Sequence, residues 1–122
     1  MAKYVDGFVI PVPKENTAQY KAMAAEGSRV WKRFGALDYK ECILNDARPD
    51  KKLKFTFPKM AKVKAGETVW FSFIVYRSRA HRDAVNKKVM AYFSKKYKKS
   101  DMKMPFDMKR FAYGGFKVVV ER

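Results

Sequence analysis

The sequence predicts an α+β fold, a four-stranded antiparallel sheet with two helices on one face. Three observations carry the prediction. Two segments place apolar residues at steps of three and four, the spacing of a one-sided helix. Four others are β-branched and aromatic, as strands are. The order is β-α-β-β-α-β, in which both helices can cover the same sheet face.

The first strand covers Tyr4–Ile10 and is stopped by Pro11 and Pro13; Gly7 within it marks a close backbone approach or a bulge. From Glu15 to Phe34 the inward positions are Tyr20, Met23, Ala24, Gly27, Val30, Trp31 and Phe34, and Gly35 supplies the left-handed stop. Leu37–Leu44 is the second strand, and Asn45–Asp50 a polar turn. Residues 51–64 form a basic, irregular stretch with Phe55, Phe57 and Pro58, closing in a short strand at Ala61–Lys64 and a turn at Ala65-Gly66. Glu67–Tyr76 is the strongest strand. Ser78 is placed to cap a second helix over Arg79–Phe93, with Ala80, Ala84, Val85, Val89 and Tyr92 inward. Residues 94–109 make a long connection rich in Lys and Met, and Phe111–Val120 closes the chain as a strand broken by Gly114-Gly115. The arrangement that satisfies this order is ferredoxin-like.

At 122 residues the chain is expected to form one domain, 1–122. Its 48% hydrophobic and 16% aromatic content excludes a disordered chain. The single cysteine, Cys42, excludes an internal disulfide, and one His with one Cys does not supply a transition-metal donor set. No cofactor or metal is therefore expected. The N-terminus lacks the apolar run of a secretory signal, and the longest apolar stretch, Val69–Tyr76, is too short to span a bilayer, so a cytoplasmic protein without a membrane partner is expected. The net charge is +16, with Lys and Arg concentrated in the second half. That excess admits a polyanion partner through counterion release without identifying one, and a Lys-rich proteome explains it equally well.

In the Glu67–Tyr76 strand, Trp70, Ser72, Ile74 and Tyr76 face one way and Phe71, Phe73 and Val75 the other. Both faces are apolar, yet the helices cover only one. The second face calls for another copy of the chain, nucleic-acid bases or a small apolar ligand. RNA-recognition motifs share the strand order and stack bases on sheet aromatics. Their central-strand signature aligns with Val69–Tyr76 at Phe71, Phe73, Ile74 and Tyr76 but lacks its leading basic residue and glycine.

Several segments together resemble the YbaA-like family, a bacterial domain of unknown function. They are Tyr4-Val5-Asp6-Gly7-Phe8-Val9 with Pro11-Val12-Pro13, Glu67 to Tyr76, Ser78 to Asn86, Met104-Pro105-Phe106-Asp107 and Tyr113-Gly114-Gly115-Phe116. The resemblance runs from end to end. It implies a dimeric α+β barrel, two ferredoxin-like subunits facing each other sheet to sheet, with Phe71, Phe73 and Val75 in the homodimer interface. It implies no established chemistry.

The candidate ligand-binding residues are Arg77, Arg79, His81 and Arg82, which gather at a helix start where free N–H groups and the dipole favour an anion. The alternative is a capped, solvated terminus with Asp83 as a local ion partner. The candidate catalytic residues are His81, Asp6 and Glu41; the two carboxylates lie inside apolar strands and, if buried, need an Arg or His81 as partner. Solvent exposure or a structural ion pair is the competing explanation. Cys42 is expected to be a small buried hydrophobe. Asp107 lies in a long connection of the kind that forms binding lids, with Phe106 as a core anchor. Lys95, Lys96, Lys98 and Lys99, with Tyr97, form a basic cluster that would suit nucleic acid or a membrane surface, although a solvated helix end has the same composition. Three functions are consistent with these features: a homodimeric module for a small ligand, anionic if the arginines hold it; a nucleic-acid-binding protein; and a cofactor-independent enzyme, on fold analogy alone.

Overall fold

The computed structural model describes residues 2–98 and 103–122. Along the chain run β1 (Tyr4–Pro13), α1 (Thr17–Arg33), β2 (Asp38–Ile43), a single helical turn α2 (Phe57–Met60), β3 (Glu67–Tyr76), α3 (Arg79–Lys96) and β4 (Ala112–Lys117). The strands form one sheet in the order β2-β3-β1-β4, every neighbouring pair antiparallel. This is the ferredoxin-like topology expected from the element order.

Strand β1 is longer than its prolines suggested. Lys14 N–H donates to Gly66 O across the β1–β3 ladder at 2.8 Å. By alternation, the nitrogens of Pro11 and Pro13 therefore point to the opposite edge. There β4 pairs only as far as Val9, opposite Ala112, so neither proline removes a ladder hydrogen bond. Gly7 makes no bulge but does mark a close approach: a Cβ there would lie 3.3 Å from the Phe116 ring. Gly35, at φ +115°, ends the turn after α1, and Ser78 Oγ caps α3 by accepting from His81 N–H at 3.1 Å.

Four local expectations are corrected. Ala61–Lys64 is a turn rather than a strand, because Thr56 caps α2 and the chain then turns through Lys62 at φ +53°. Ala80 and Ala84 are exposed, since α3 meets the sheet along a narrow stripe centred on Val85 and Val89. Strand β4 stops at Lys117 because its neighbour β1 begins at Tyr4, and Val119 and Val120 stand in solvent. Cys42 is exposed, on the sheet face that the helices leave open.

Two clusters build the core between helices and sheet. One centres on Ile10, Val12, Tyr20, Trp70 and Phe106, the other on Val30, Ile74, Tyr76, Val85 and Val89, and Phe8 packs against both. The opposite face presents Phe71, which is 46% exposed, with Phe73 and Val75 half-buried beside it. The strand register adds Val5, Val9 and Phe116 to that surface. No helix among the described residues is long and apolar enough to cross a membrane.

Candidate functional site

Asp6 sits mid-strand in β1 on the helix-covered face and is 1% exposed. Its partner is Arg82, whose Nη1 donates to Oδ1 at 2.6 Å. The same guanidinium donates to the Tyr113 hydroxyl at 3.0 Å, reaches Asp83 at 2.7 Å and lies 4.9 Å from the centre of the Tyr4 ring. Arg82 is thus a buried clasp joining α3 to β1 and β4. A desolvated carboxylate needs this compensation. Burial first, and the Asp6 charge second, push the Tyr76 phenol up.

His81 stands apart from that pair. Its Nδ1 accepts from Arg77 N–H at 3.0 Å, which puts the ring proton on Nε2. Burial, then the charges of Arg77 and Lys88, hold His81 below its usual range. Arg77 and Arg79 are exposed. The helix start therefore brings Arg77 and His81 together, turns Arg82 inward to Asp6, and leaves Arg79 in solvent. Asp6, Glu41 and His81 are held by three separate sets of partners. Asp107 is exposed and caps a short turn by accepting from Lys109 N–H at 2.9 Å, while Phe106 is buried as an anchor. Tyr97 and Lys96 both bind Glu26, at 2.7 and 2.5 Å. Lys99 of the basic cluster lies outside the described residues.

Glu41 lies in β2, on the face turned toward the helices. Its Oε1 accepts from the Tyr20 hydroxyl at 2.8 Å and its Oε2 from the Tyr39 hydroxyl at 2.7 Å. Burial, then the Glu41 charge, pushes both phenols up, so both remain neutral donors. Gly27 of α1 allows this: a Cβ there would stand 3.1 Å from the Tyr39 oxygen.

Glu41 borders a cavity of about 380 Å³ between the two core clusters. The sheet provides its floor through Phe8, Ile10, Ser72 and Ile74, and α1 and α3 its walls through Tyr20, Trp31 and Phe93. The segment 104–111 covers it with Met104, Phe106, Met108 and Phe111. Its volume is that of a small-molecule site. Methionines at 23, 90, 104 and 108 give it an adaptable lining. No Lys or Arg among the described residues lines it; Arg77, Arg79, His81 and Arg82 all lie elsewhere. A second groove, of about 520 Å³, lies outside and shares Ala24, Tyr39 and Glu41 with the cavity. Trp70, which borders that groove, carries the one buried side-chain polar atom without a hydrogen-bond partner among the described residues, its Nε1.

Sequence reasoning missed Tyr20 and Tyr39 as partners of Glu41, because helical spacing marks Tyr20 only as an inward residue. It also missed Asn86, whose Oδ1 accepts from Trp31 Nε1 at 3.0 Å and Tyr76 Oη at 3.2 Å. Among the described residues no group of three His, Cys, Asp or Glu could hold a metal ion.

The chain resembles a ferredoxin-like protein from an uncultured marine organism, described as dimeric, with a TM-score of 0.58, 13% identity and 100% of both chains covered. It is 42% identical over 119 residues to the uncharacterized protein YbaA of Escherichia coli K12, covering 98% of each chain, and equally to that of Shigella flexneri. The profile of a family described as protein of unknown function, DUF1428, matches residues 3–108. By both measures, the chain belongs to the DUF1428 family.

Proposed function

We propose that the protein is a homodimeric module that binds a small, largely apolar molecule in the cavity between its sheet and helices. The cavity carries this reading: about 380 Å³ of space walled by aromatic and methionine side chains, with a few polar groups among them, is the form of a ligand site. The lining argues against an anion there, since no basic side chain among the described residues is part of it. The open sheet face supports pairing. Phe71 and Phe116 are 46% and 62% exposed on a surface that also holds Val5, Val9, Phe73 and Val75, and a second copy would shelter it. The dimeric description of the ferredoxin-like neighbour is consistent with that arrangement.

Titration calorimetry with indole tests the cavity. Wild-type protein is expected to bind it, and Ala24→Leu, which fills the lining from α1, to lose it while staying folded. Unchanged binding by the variant, or none by wild type, would refute the cavity reading. Light scattering tests the pairing: wild type should run as a dimer and Phe71→Asp as a monomer. RNA stacked on Phe71 and Phe73, whose ring centres lie 5.9 Å apart, is the competing use of that face. A wild-type monomer whose Phe71-dependent RNA affinity falls steeply with salt would decide for RNA.

A further inference from the structure

Five carboxylates among the described residues are not exposed: Asp6, Glu26, Asp38, Glu41 and Glu67. Four of them hold a Lys or Arg, at 2.6 Å for Arg82, 2.5 Å for Lys96, 2.6 Å for Lys40 and 2.6 Å for Arg110. Among the described residues Glu41 alone holds none, although the sequence carries 28 Lys and Arg. Lys21 and Lys40 border the outer groove beside it, yet neither comes within ion-pair distance, and Lys40 is turned to Asp38. The two tyrosine hydroxyls use one acceptor position on each Glu41 oxygen, and a carboxylate has about four. A half-buried carboxylate with spare acceptor capacity, at the edge of an aromatic cavity, has no cation partner among the described residues.

Resting on the cavity reading above, we infer that the ligand supplies that cation: an organic amine with an apolar, preferably aromatic, body, its ammonium on Glu41 and its body in the cavity. The surroundings fit both ends. Trp31 stands 6.0 Å from Tyr39 and 6.2 Å from Phe93, centre to centre, so the wall near Glu41 presents several aromatic faces. Such faces attract a desolvated cation. Ser72, the Tyr20, Tyr39 and Tyr97 hydroxyls and Glu26, which Lys96 already holds at 2.5 Å, are further polar groups of the lining, and none of them carries a positive charge that would repel the head group. Glu41 also borders the outer groove, which gives the amine a way in from solvent.

Phenethylamine, phenethyl alcohol and hydrocinnamate share one body and differ in head group, so calorimetry with the three separates charge from shape. At about 0.15 M salt the long-range repulsion of the positive protein is largely screened, while a contact pair is not. The amine is expected to bind roughly tenfold or more tighter than the alcohol, as a charge-assisted hydrogen bond warrants, and the carboxylate weakest. Glu41→Gln should bring the amine down to the alcohol. Tyr39→Phe, which keeps the carboxylate, should retain the preference for the amine. Alcohol or carboxylate binding as tightly as the amine in wild type would overturn the inference whether or not Glu41→Gln folds. So would failure of all three while indole still binds. Failure of indole as well would bring down the cavity reading itself.

Discussion

Replacing Arg82 by methionine isolates the buried clasp. Asp6 is 1% exposed and its carboxylate is ion-paired with the Arg82 guanidinium at 2.6 Å, with Arg82 itself 14% exposed. Met keeps much of the aliphatic stem over Tyr4 but leaves the carboxylate buried without its cation. Removing one member of such a pair typically costs about 3–5 kcal/mol, because the remaining charge keeps its desolvation penalty and loses its compensation. At this chain length 1 kcal/mol moves the midpoint by roughly 3–5 °C, so the thermal transition should fall by about 9–25 °C. Circular dichroism at fixed protein concentration reads this, with the concentration held because a dimer's midpoint depends on it. Arg79→Met, an exposed neighbour on the same helix, is the control and should stay within about 0.5 kcal/mol of wild type. The double variant Asp6→Asn with Arg82→Met removes both charges and should recover a large part of the loss. A single-variant cost no greater than that of Arg79→Met would refute the reasoning. So would a double variant no better than Arg82→Met.

His81 is held below its usual range, so the fold favours the neutral ring, whose Nδ1 accepts from Arg77 N–H. The unfolded chain then binds the proton more readily, and stability should be lost as pH falls below about 6.5. Urea midpoints at about pH 7 and pH 5.5 should differ more for wild type than for His81→Gln, and equal slopes would refute the effect. Glu67, held below the usual carboxylate range by Arg110, grips both guanidinium nitrogens at 2.6 and 2.9 Å, and Arg110 also donates to Lys62 O at 2.7 Å. Arg110→Lys should cost about 1–2 kcal/mol and speed hydrogen exchange in 104–111, the segment over the cavity, because lysine cannot reproduce the two-pronged bond. At Gly115 an added Cβ would stand 2.5 Å from the Tyr4 hydroxyl and 2.7 Å from its ring. Gly115→Ala should therefore lower stability by about 1–3 kcal/mol in denaturant titration, through forced displacement of the ring that lies on Arg82.

Much of the fold was legible in local pattern. Period-two and period-3.6 apolar spacing placed β3 over Glu67–Tyr76 and α1 around its inward Tyr20, Ala24, Gly27 and Val30. Gly35 and Ser78 marked where α1 stops and α3 starts, because a positive φ and a cap each demand particular residue types. The open face was legible too: Phe71 and Phe73 alternate with Trp70, Ser72 and Ile74, and the helices cover only the latter set.

Partnership was legible only in kind, an Arg for a buried Asp6, and not by residue. The sequence identified Asp6 and Glu41 as carboxylates in apolar strands, in need of company if buried. Which group answered each depended on the helix-to-sheet packing, which brings Arg82 across 76 positions of chain to Asp6 and leaves Glu41 with two tyrosines. The cavity is likewise a property of that packing. Its wall residues score individually as core, and only the gap between the two core clusters shows that they enclose space. Periodicity and capping act within a few residues and are written in the order of the chain. Ion pairs and cavities are set by contacts between distant segments, and those exist only once the sheet and its helices have assembled.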